Sequence, residues 1–390
     1  MKRRKITKLV GAALSDWPAV ALVGPRQCGK TTLARALSST YFDLEQNEDR
    51  VRVDAGWDEI AGGRHLVVFD EAQSWPELFP RLRGAIDGDR KRTGRFLLTG
   101  SVSPALMRDV GESLAGRLAV VEMSPFLAAE LTPAERKRHW LCGGFPDGGV
   151  LEPRRFPDWQ RSYLALLVGR DLPTWGMSGR PRQTERLLHM LALSHGQIWN
   201  ASRIGQSMGT SYHTVNAHVE FLEGAFLLRR LLPYHGNLGK RLVKSPKLYL
   251  RDSGLLHAIL GVGDQNALWL QPWVGASWEG YVLESILSFL ATTGRHPQAH
   301  YLRTSDGQEI DIVLDLDRER WAIGSKLTTS PSPGEVSRLE QTAKLVGATR
   351  VALVCRKNIG GPPQRTLIAD LDHLLAALDG GRTRAGRGLP

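Results

Sequence analysis

A glycine-rich segment near the start of the chain has the residue types and the spacing that bind nucleotide phosphates. Residues 24–31 read GPRQCGKT, which fits G-x-x-x-x-G-K-[ST] at every fixed position. Glycines let backbone N–H groups wrap a phosphate, the lysine reaches the β- and γ-phosphates, and the threonine hydroxyl binds Mg²⁺. We therefore predict ATP and Mg²⁺ as cofactors, held by Gly24, Pro25, Arg26, Gln27, Cys28, Gly29, Lys30, Thr31 and Thr32.

Two carboxylates, Asp70 and Glu71, directly follow an apolar run at residues 66–69. In a parallel sheet, the carboxyl ends of the strands form the edge where ligands bind. We expect Asp70 to hold the magnesium shell together with Thr31. We expect Glu71 to orient and deprotonate the water that attacks the γ-phosphate.

Three further polar residues are candidates for catalysis. Thr99 and Ser101 follow the apolar run 96–98 and would sense the γ-phosphate or position the water, although such residues also form ordinary turns. Arg117 follows a helical stretch and would stabilise transition-state charge, within the chain or across a subunit boundary. The pattern around Arg117 fits a solvated surface arginine as well.

Short apolar runs alternate with helical patterns around these motifs, which is typical of a parallel α/β sheet. The predicted N-terminal strands are 20–23, 41–44, 65–69 and 96–99. Residues 143–149 are rich in glycine and proline and predict a connector. Short strands return at 247–250, 308–314, 321–323 and 351–354.

The composition excludes several classes of protein. The 390 residues include three cysteines, which is too few for a disulfide framework and favours a reducing cytoplasm. Apolar runs are shorter than the roughly 18 residues that span a bilayer, and the N-terminus lacks a secretory signal, so we expect no membrane association. The net charge of +11 suits a nucleic-acid partner, and it equally fits a chain that is arginine-rich for compositional reasons.

The motifs together resemble one prokaryotic group of AAA-type ATPases whose members carry a C-terminal domain of unknown function. The resemblance extends to about residue 370 and is carried by these segments: 24–27 (GPRQ), 70–73 (DEAQ), 98–101 (LTGS), 114–117 (LAGR), 141–146 (LCGGFP), 170–171 (RD) and 249–255 (YLRDSGL). The resemblance implies ATP binding, an AAA-like fold and a C-terminal half similar to PD-(D/E)XK nucleases. It also favours a functional role for Arg117.

Residues 200–234 predict a winged helix, with helices at 202–208 and 211–222 and a wing that begins at 226. The outward face of the second helix carries Tyr212, His213, Asn216 and His218 but no lysine or arginine, which DNA phosphates would require. Basic residues lie instead at Lys240, Arg241, Lys244 and Lys247. DNA contact and a purely packing role both remain open.

A degenerate nuclease site is implied by the same family pattern. Glu279 on a helix, Asp311 on a strand and Lys326 on the next strand match it. The position two before Lys326 should be acidic but is Gly324, so one metal-binding carboxylate is absent. Glu309 is a candidate substitute, because it lies two residues before Asp311 on one strand face. We expect a scaffold with a decayed site rather than an active nuclease.

We predict an α/β protein with a P-loop, AAA-like domain at 1–140 whose parallel sheet has helices on both faces. A helical connector or lid (141–185), a winged helix (186–254), a PD-(D/E)XK nuclease-like domain (255–370) and a basic tail (371–390) follow. The expected function is Mg²⁺-dependent ATP hydrolysis that moves the C-terminal module. The alternatives are an ATP-coupled DNA nuclease and a nucleotide-regulated switch that binds a protein partner, with a homo-oligomer open in each case.

Overall fold

The computed structural model describes residues 2–100, 114–236, 242–358 and 366–380. Within these residues, the N-terminal part forms a five-stranded parallel sheet in the order β2-β3-β4-β1-β5. Its strands are β1 (Ala19–Val23), β2 (Thr40–Asp43), β3 (Val67–Asp70), β4 (Phe96–Thr99) and β5 (Leu118–Glu122). The predicted parallel α/β architecture of this part is confirmed.

Helices cover both faces of this sheet. They are α1 (Ile6–Asp16), α2 (Lys30–Leu37), α3 (Asn47–Ala55), α4 (Trp57–Gly62) and α5 (Leu78–Gly88). Alternate residues of β1 enter two different cores: Val20 and Leu22 pack with α1 and α2, whereas Ala21 and Val23 pack with α3 and α5. The central strands are buried on both faces, and they are apolar except for Asp70 and Thr99 at the carboxyl ends of β3 and β4.

A mixed sheet organises the C-terminal half. In the part of the chain that the structure describes, it has seven strands in the order β12-β11-β10-β9-β8-β6-β7. They are β6 (Leu228–Pro233), β7 (Lys247–Leu250), β8 (Gln298–Arg303), β9 (Glu309–Leu316), β10 (Glu319–Ser325), β11 (Arg350–Val354) and β12 (Thr366–Ala369). The antiparallel hairpin β6–β7 joins the rest through a short parallel pairing of β6 with β8.

The remaining helices precede, connect and cover this sheet. They are α6 (Pro133–Cys142), α7 (Asp158–Leu166), α8 (Pro181–Leu193), α9 (Ala201–Met208), α10 (Tyr212–Gly224), α11 (Ser253–Ile259), α12 (Gln265–Trp269), α13 (Val274–Ala291), α14 (Pro333–Leu345) and α15 (Leu371–Asp379). After α7 the chain continues through a wider helical turn, Leu167–Asp171, and one further turn, Leu172–Thr174. None of the described helices is both long and apolar enough to cross a membrane.

Two predicted boundaries differ from the structure. The expected basic tail does not begin at residue 371, because α15 buries Leu371, Leu374, Leu375 and Leu378 in the core beneath α13. This leucine spacing is that of an amphipathic helix. The prediction of a tail followed instead from the arginines that come after it. The boundary at residue 254 falls inside α11, and the pairing of β6 with β8 runs one sheet across both predicted modules.

Candidate nucleotide-binding site

The phosphate loop connects the end of β1 to the start of α2. At Gly24 the backbone φ is 150°, and an added Cβ would lie 2.1 Å from the carbonyl oxygen of Met123, so only glycine fits there. The Lys30 side chain is buried, and its Nζ donates to the carbonyl oxygens of Gly24 and Pro25, both at 2.9 Å. The ammonium group is therefore held inside the loop by neutral acceptors. Thr31 follows at the start of α2 and is half-buried, whereas Thr32 is exposed.

Arg4 stabilises the loop through hydrogen bonds, and no sequence motif predicts this role. Arg4 is buried, and its Nη1 donates to the carbonyl oxygen of Cys28 at 2.9 Å. Its Nε pairs with Glu130 at 3.1 Å, and Nη2 donates to the Ser124 carbonyl oxygen at 2.7 Å. In the sequence Arg4 is one of four consecutive basic residues, and no local pattern distinguishes it from the others.

Asp70 lies at the end of β3, on the same sheet edge as the phosphate loop. It is buried and accepts hydrogen bonds from the hydroxyl groups of Thr99, at the end of β4, and Tyr41, on β2. The Tyr41 bond measures 2.6 Å, and burial together with this bond raises the pKa of Tyr41. No local sequence pattern predicts this role of Tyr41, because it depends on the pairing of β2 with β3.

Glu71 is the first residue after β3. Its backbone has a φ of 50°, in the left-handed region, and its N–H donates to Asp70 Oδ1 at 3.1 Å. Gln73 Nε2 donates to its carboxylate. The turn therefore places two carboxylates in succession at the phosphate edge. The oxygen ligands available from Thr31 and Asp70 are of the kind that Mg²⁺ prefers.

The structure separates Arg117 from this group and thereby contradicts one of its two predicted roles. Arg117 directly precedes β5, and Leu118 pairs with Ala19 at the start of β1. The phosphate loop leaves the other end of β1, one strand length away or about 16 Å. A contact with the phosphates bound by its own chain therefore conflicts with the register, whereas the contact across a subunit boundary stays a prediction.

Arg117 is engaged at that far edge by Asp87 of α5. Its Nε and Nη2 donate to the two carboxylate oxygens of Asp87 at 2.8 and 2.9 Å. These hydrogen bonds lower the pKa of Asp87 to about 2. Ser101, the other candidate for sensing the γ-phosphate, lies outside the described residues.

A second cluster of carboxylates lies where β7, β9 and α13 meet. Three of the predicted nuclease residues, Glu279, Glu309 and Asp311, surround the buried ammonium group of Lys247. Lys247 Nζ lies 2.8 Å from Glu279 Oε1 and 2.7 Å from Glu309 Oε1. Burial, followed by the charge of Asp311, raises the pKa of Glu279 to about 7. A lysine that the sequence assigned to a DNA-binding surface is therefore the cation inside this cluster.

The fourth predicted nuclease residue, Lys326, is not part of the cluster. Its side chain is exposed and interacts with Glu335 at the start of α14. Asp311 Oδ2 instead accepts hydrogen bonds from the backbone N–H and the hydroxyl of Ser325. A Cβ at Gly324 would lie 3.0 Å from Leu353 Cδ1, within an apolar core.

The cluster therefore differs from the predicted metal site in two ways: Lys326 lies outside it, and the Lys247 ammonium group lies inside it. Among the described residues, no group of three or more His, Cys, Asp or Glu side chains is arranged to hold a metal ion.

The outward face of α10 is also partly occupied. Asn216 Oδ1 accepts a hydrogen bond from Trp199 Nε1 at 2.9 Å, and the His218 ring lies 3.3 Å from the Ser178 hydroxyl. Tyr212 and His213 are exposed. Lys244 is exposed as well, whereas Lys240 and Arg241 lie outside the described residues.

Comparison with known proteins divides the chain into three matched regions. Residues 16–132 match a family described as AAA domain. Residues 134–266 and 274–364 match two domains of unknown function, DUF8612 and DUF4143. The first of these spans both the predicted connector and the predicted winged helix, and the apolar residues of these two segments form one buried cluster.

Two related proteins align with nearly the whole chain. Uncharacterized proteins of Mycobacterium tuberculosis and Mycobacterium bovis are each 34% identical over 394 residues, covering 97% of this chain and 88% of the relative. Among solved structures, a Walker-type ATPase of Pyrococcus abyssi covers 66% of this chain and 95% of its own length, at 16% identity and a TM-score of 0.45. A STAND protein of Pyrococcus horikoshii with a tetratricopeptide repeat sensor covers 75% of this chain and 47% of its own length, at 14% identity and a TM-score of 0.26.

Both TM-scores are below 0.5, so the family of this chain follows from the sequence matches and from the phosphate loop. The chain belongs to the family of these mycobacterial proteins, and its N-terminal part is an AAA domain of the ATP-binding P-loop type.

Proposed function

We propose that this protein hydrolyses ATP with Mg²⁺ and uses the nucleotide state to move its C-terminal half. The observation that carries the proposal is the convergence of the phosphate loop, Asp70, Glu71 and Thr99 at one edge of the five-stranded sheet. A domain that only bound ATP would have no need of the second carboxylate.

Each of these residues has a separate role in hydrolysis. Lys30 would exchange its two carbonyl acceptors for the β- and γ-phosphates, because charged oxygens are stronger partners for an ammonium group. Thr31 and Asp70 would hold Mg²⁺, which neutralises phosphate charge when bound. Glu71 would take the proton of the attacking water, and Thr99, fixed by its bond to Asp70, would orient that water.

The route to the C-terminal half begins one residue before the phosphate loop. Val23 pairs with Glu122 at the end of β5, and Glu122 accepts a hydrogen bond from Arg251 at 2.5 Å. The Arg251 side chain is 13% exposed and also donates to Glu284 of α13. Burial opposes the charged form of Arg251, but Glu284 and Glu122 outweigh it and raise its pKa. A charged group of the second half therefore lies directly against the nucleotide edge of the first.

The C-terminal half acts in this proposal as a moved scaffold, with a winged helix formed by α8 to α10 and the hairpin β6–β7, and a nuclease-like unit around β8 to β12. We infer no DNA cleavage, because the Lys247 ammonium lies among the carboxylates that a nuclease would use for metal. Supercoiled and linear DNA incubated with Mg²⁺ or Mn²⁺, with and without ATP, should stay intact. Cleavage that disappears in Asp311→Ala would promote the nuclease alternative.

The proposed function is tested first at Lys30. The substitution Lys30→Ala should abolish binding of Mg²⁺–ATP in a calorimetric titration, because the cation that compensates the phosphate charge is lost. The control is Lys8→Ala, which removes an exposed lysine of α1. ATP affinity that is the same in Lys30→Ala as in the wild type would show that the loop does not bind nucleotide as proposed.

A further inference from the structure

We propose that Asp171 is a positioning residue that competes with the γ-phosphate of ATP for the guanidinium group of Arg26. ATP, but not ADP, would then release the segment 158–174 from the phosphate loop. The inference rests on the proposed function, because it requires that the loop binds ATP.

The direct observation is an ion pair between the loop and the helical region that follows the AAA domain. Arg26 Nη1 lies 2.5 Å from Asp171 Oδ1. Asp171 ends the wider turn Leu167–Asp171, and it is buried, with 5% of its surface exposed. A buried carboxylate depends strongly on its partners, since water does not replace them when they leave.

One carboxylate oxygen serves two arginines at this point. Arg170 Nε also donates to Asp171 Oδ1, at 3.0 Å, although the Arg170 side chain is largely exposed. If Arg26 moved away, Arg170 would be the only ion-pair partner left to Asp171 among the residues that the structure describes. The ion pair with Arg26 is therefore the stronger of the two attachments of Asp171.

The position of Arg26 is close to the predicted site of water attack. Burial and then the charge of Glu71 raise the pKa of Glu45, while Arg26 and Arg170 act in the opposite direction. Arg26 Nη2 lies 3.9 Å from Glu45 Oε1. Arg26 is itself a residue of the phosphate loop, and Glu71, the residue expected to activate the water, follows β3 at the same sheet edge. In this proposal the Arg26 guanidinium group therefore faces the γ-phosphate.

The chemistry makes the competition specific for ATP. A terminal phosphate offers several charged oxygens to an arginine and forms paired hydrogen bonds with it, as a carboxylate does. ADP lacks this group, so Arg26 would stay with Asp171. With ATP, the loss of Arg26 leaves a buried charge poorly compensated, which favours movement of its segment.

Such a movement would reach the C-terminal half through existing contacts. The segment 158–174 contributes Tyr163, Leu167 and Leu172 to a buried apolar cluster. The same cluster contains Leu255 and Leu256 of α11, which lie three and four residues after Asp252. A shift at Asp171 is therefore transmitted by packing to the charged network that joins the two halves.

The first experiment measures the affinities of Asp171→Asn for ATPγS and ADP, each with Mg²⁺. The substitution preserves size but removes the carboxylate charge that holds Arg26, so the guanidinium group is free to meet the γ-phosphate. Binding of ATPγS should tighten by about tenfold, while ADP affinity stays constant. The control is Asp158→Asn, which breaks an exposed ion pair with Arg161 at the start of the same segment. Weaker binding of ATPγS, or an equal change for both nucleotides, would overturn the inference.

The second experiment asks whether Asp171 acts through Arg26. In an Arg26→Ala background, Asp171→Asn should no longer change ATPγS affinity. If Asp171 acts through Arg26, its substitution has no effect once Arg26 is removed. Hydrogen exchange at 158–174 should increase with ATPγS in the wild type and be independent of nucleotide in Asp171→Asn. If the wild type binds neither nucleotide, the proposed function fails and this inference with it. If the wild type binds ATPγS and Asp171→Asn changes neither affinity nor exchange, only this inference fails.

Discussion

The nucleotide site and the Lys247 cluster are built from the same parts but differ in what surrounds the lysine. Both contain carboxylates and a buried lysine, Lys30 in one and Lys247 in the other. Lys30 donates to two backbone carbonyl oxygens, whereas Lys247 lies between two carboxylates. The first ammonium group has neutral partners, and the second is already paired with carboxyl groups.

This difference indicates which site is open to a ligand. A phosphate competes easily with carbonyl oxygens for an ammonium group, because an ionised acceptor forms the stronger bond. A metal ion entering the Lys247 cluster would have to displace a buried ammonium ion that carboxylates hold on two sides. The N-terminal site is therefore suited to binding and turnover, and the C-terminal cluster to holding β7, β9 and α13 together.

The two sites also differ in whether they need residues from a second chain, and substitution of Arg117 is expected to have the largest effect. The Lys247 cluster lies within one chain, whereas Arg117, at the far edge of the AAA sheet, would have to act on the nucleotide of a neighbouring subunit. Arg117→Ala should lower the rate of ATP hydrolysis by about 10³–10⁵ while ATP affinity changes little. Steady-state hydrolysis and nucleotide titration measure the two quantities separately.

The control for Arg117 is Arg90→Ala, since Arg90 pairs with the same Asp87 at 2.8 Å. Mixing Arg117→Ala with Glu71→Gln should restore part of the activity, because each variant supplies what the other lacks. Equal losses of affinity and rate in Arg117→Ala, or no recovery on mixing, would remove the contact between subunits.

The two carboxylates after β3 should differ in function from those around Lys247. Glu71→Gln should leave ATP bound but slow hydrolysis by about 10²–10⁴, because the amide is no proton acceptor. Single-turnover hydrolysis measures this rate. Glu77→Gln, which lies in the same loop and is exposed, should hydrolyse ATP at the wild-type rate. Near-normal turnover in Glu71→Gln together with inactivity of Asp70→Ala would assign the base to another group.

Lys247→Met should act on stability and leave nucleotide binding unchanged. The substitution leaves buried carboxylates without their cation, and it should lower the free energy of unfolding by about 3–5 kcal/mol. Denaturant unfolding gives this difference, with Lys244→Met as the control at an exposed lysine three residues away. A Lys247→Met protein as stable as the control would contradict the structural role of the ammonium group.

The parts of the nucleotide site that could be predicted are those written in contiguous sequence. Gly24 follows one apolar strand, Asp70 ends another, and Lys30 begins the helix after the loop. Local patterns of this kind predict both the strand and the sheet edge. Thr99 was predicted on the same basis, and its bond to Asp70 follows from the pairing of β3 with β4. The helices at 202–208 and 211–222 also agree with α9 and α10 to within a few residues.

The residues that were missed depend on long-range pairing. Tyr41 and Arg4 reach the site from other elements, and no local pattern marks either of them as a site residue. Asp171 was noted only as part of the segment 170–171, and the fold forms its pair with Arg26. Lys247 was assigned to a basic surface because its neighbours in the sequence are basic, yet in the fold its neighbours are acidic. The neighbours of a residue in the sequence say little about its surroundings when its strand packs between two other elements that carry carboxylates.

The short pairing of β6 with β8 has a practical consequence for dissecting the protein. Leu232 and Pro233 are in register with His300 and Tyr301, so the hairpin and the rest of the sheet share backbone hydrogen bonds. A truncation after residue 254 would expose the edges of β6 and β8 as unpaired strands, and such edges promote aggregation. Expression of residues 1–254 or 255–380 alone should yield insoluble protein, whereas a cut near residue 132 would leave both sheets intact.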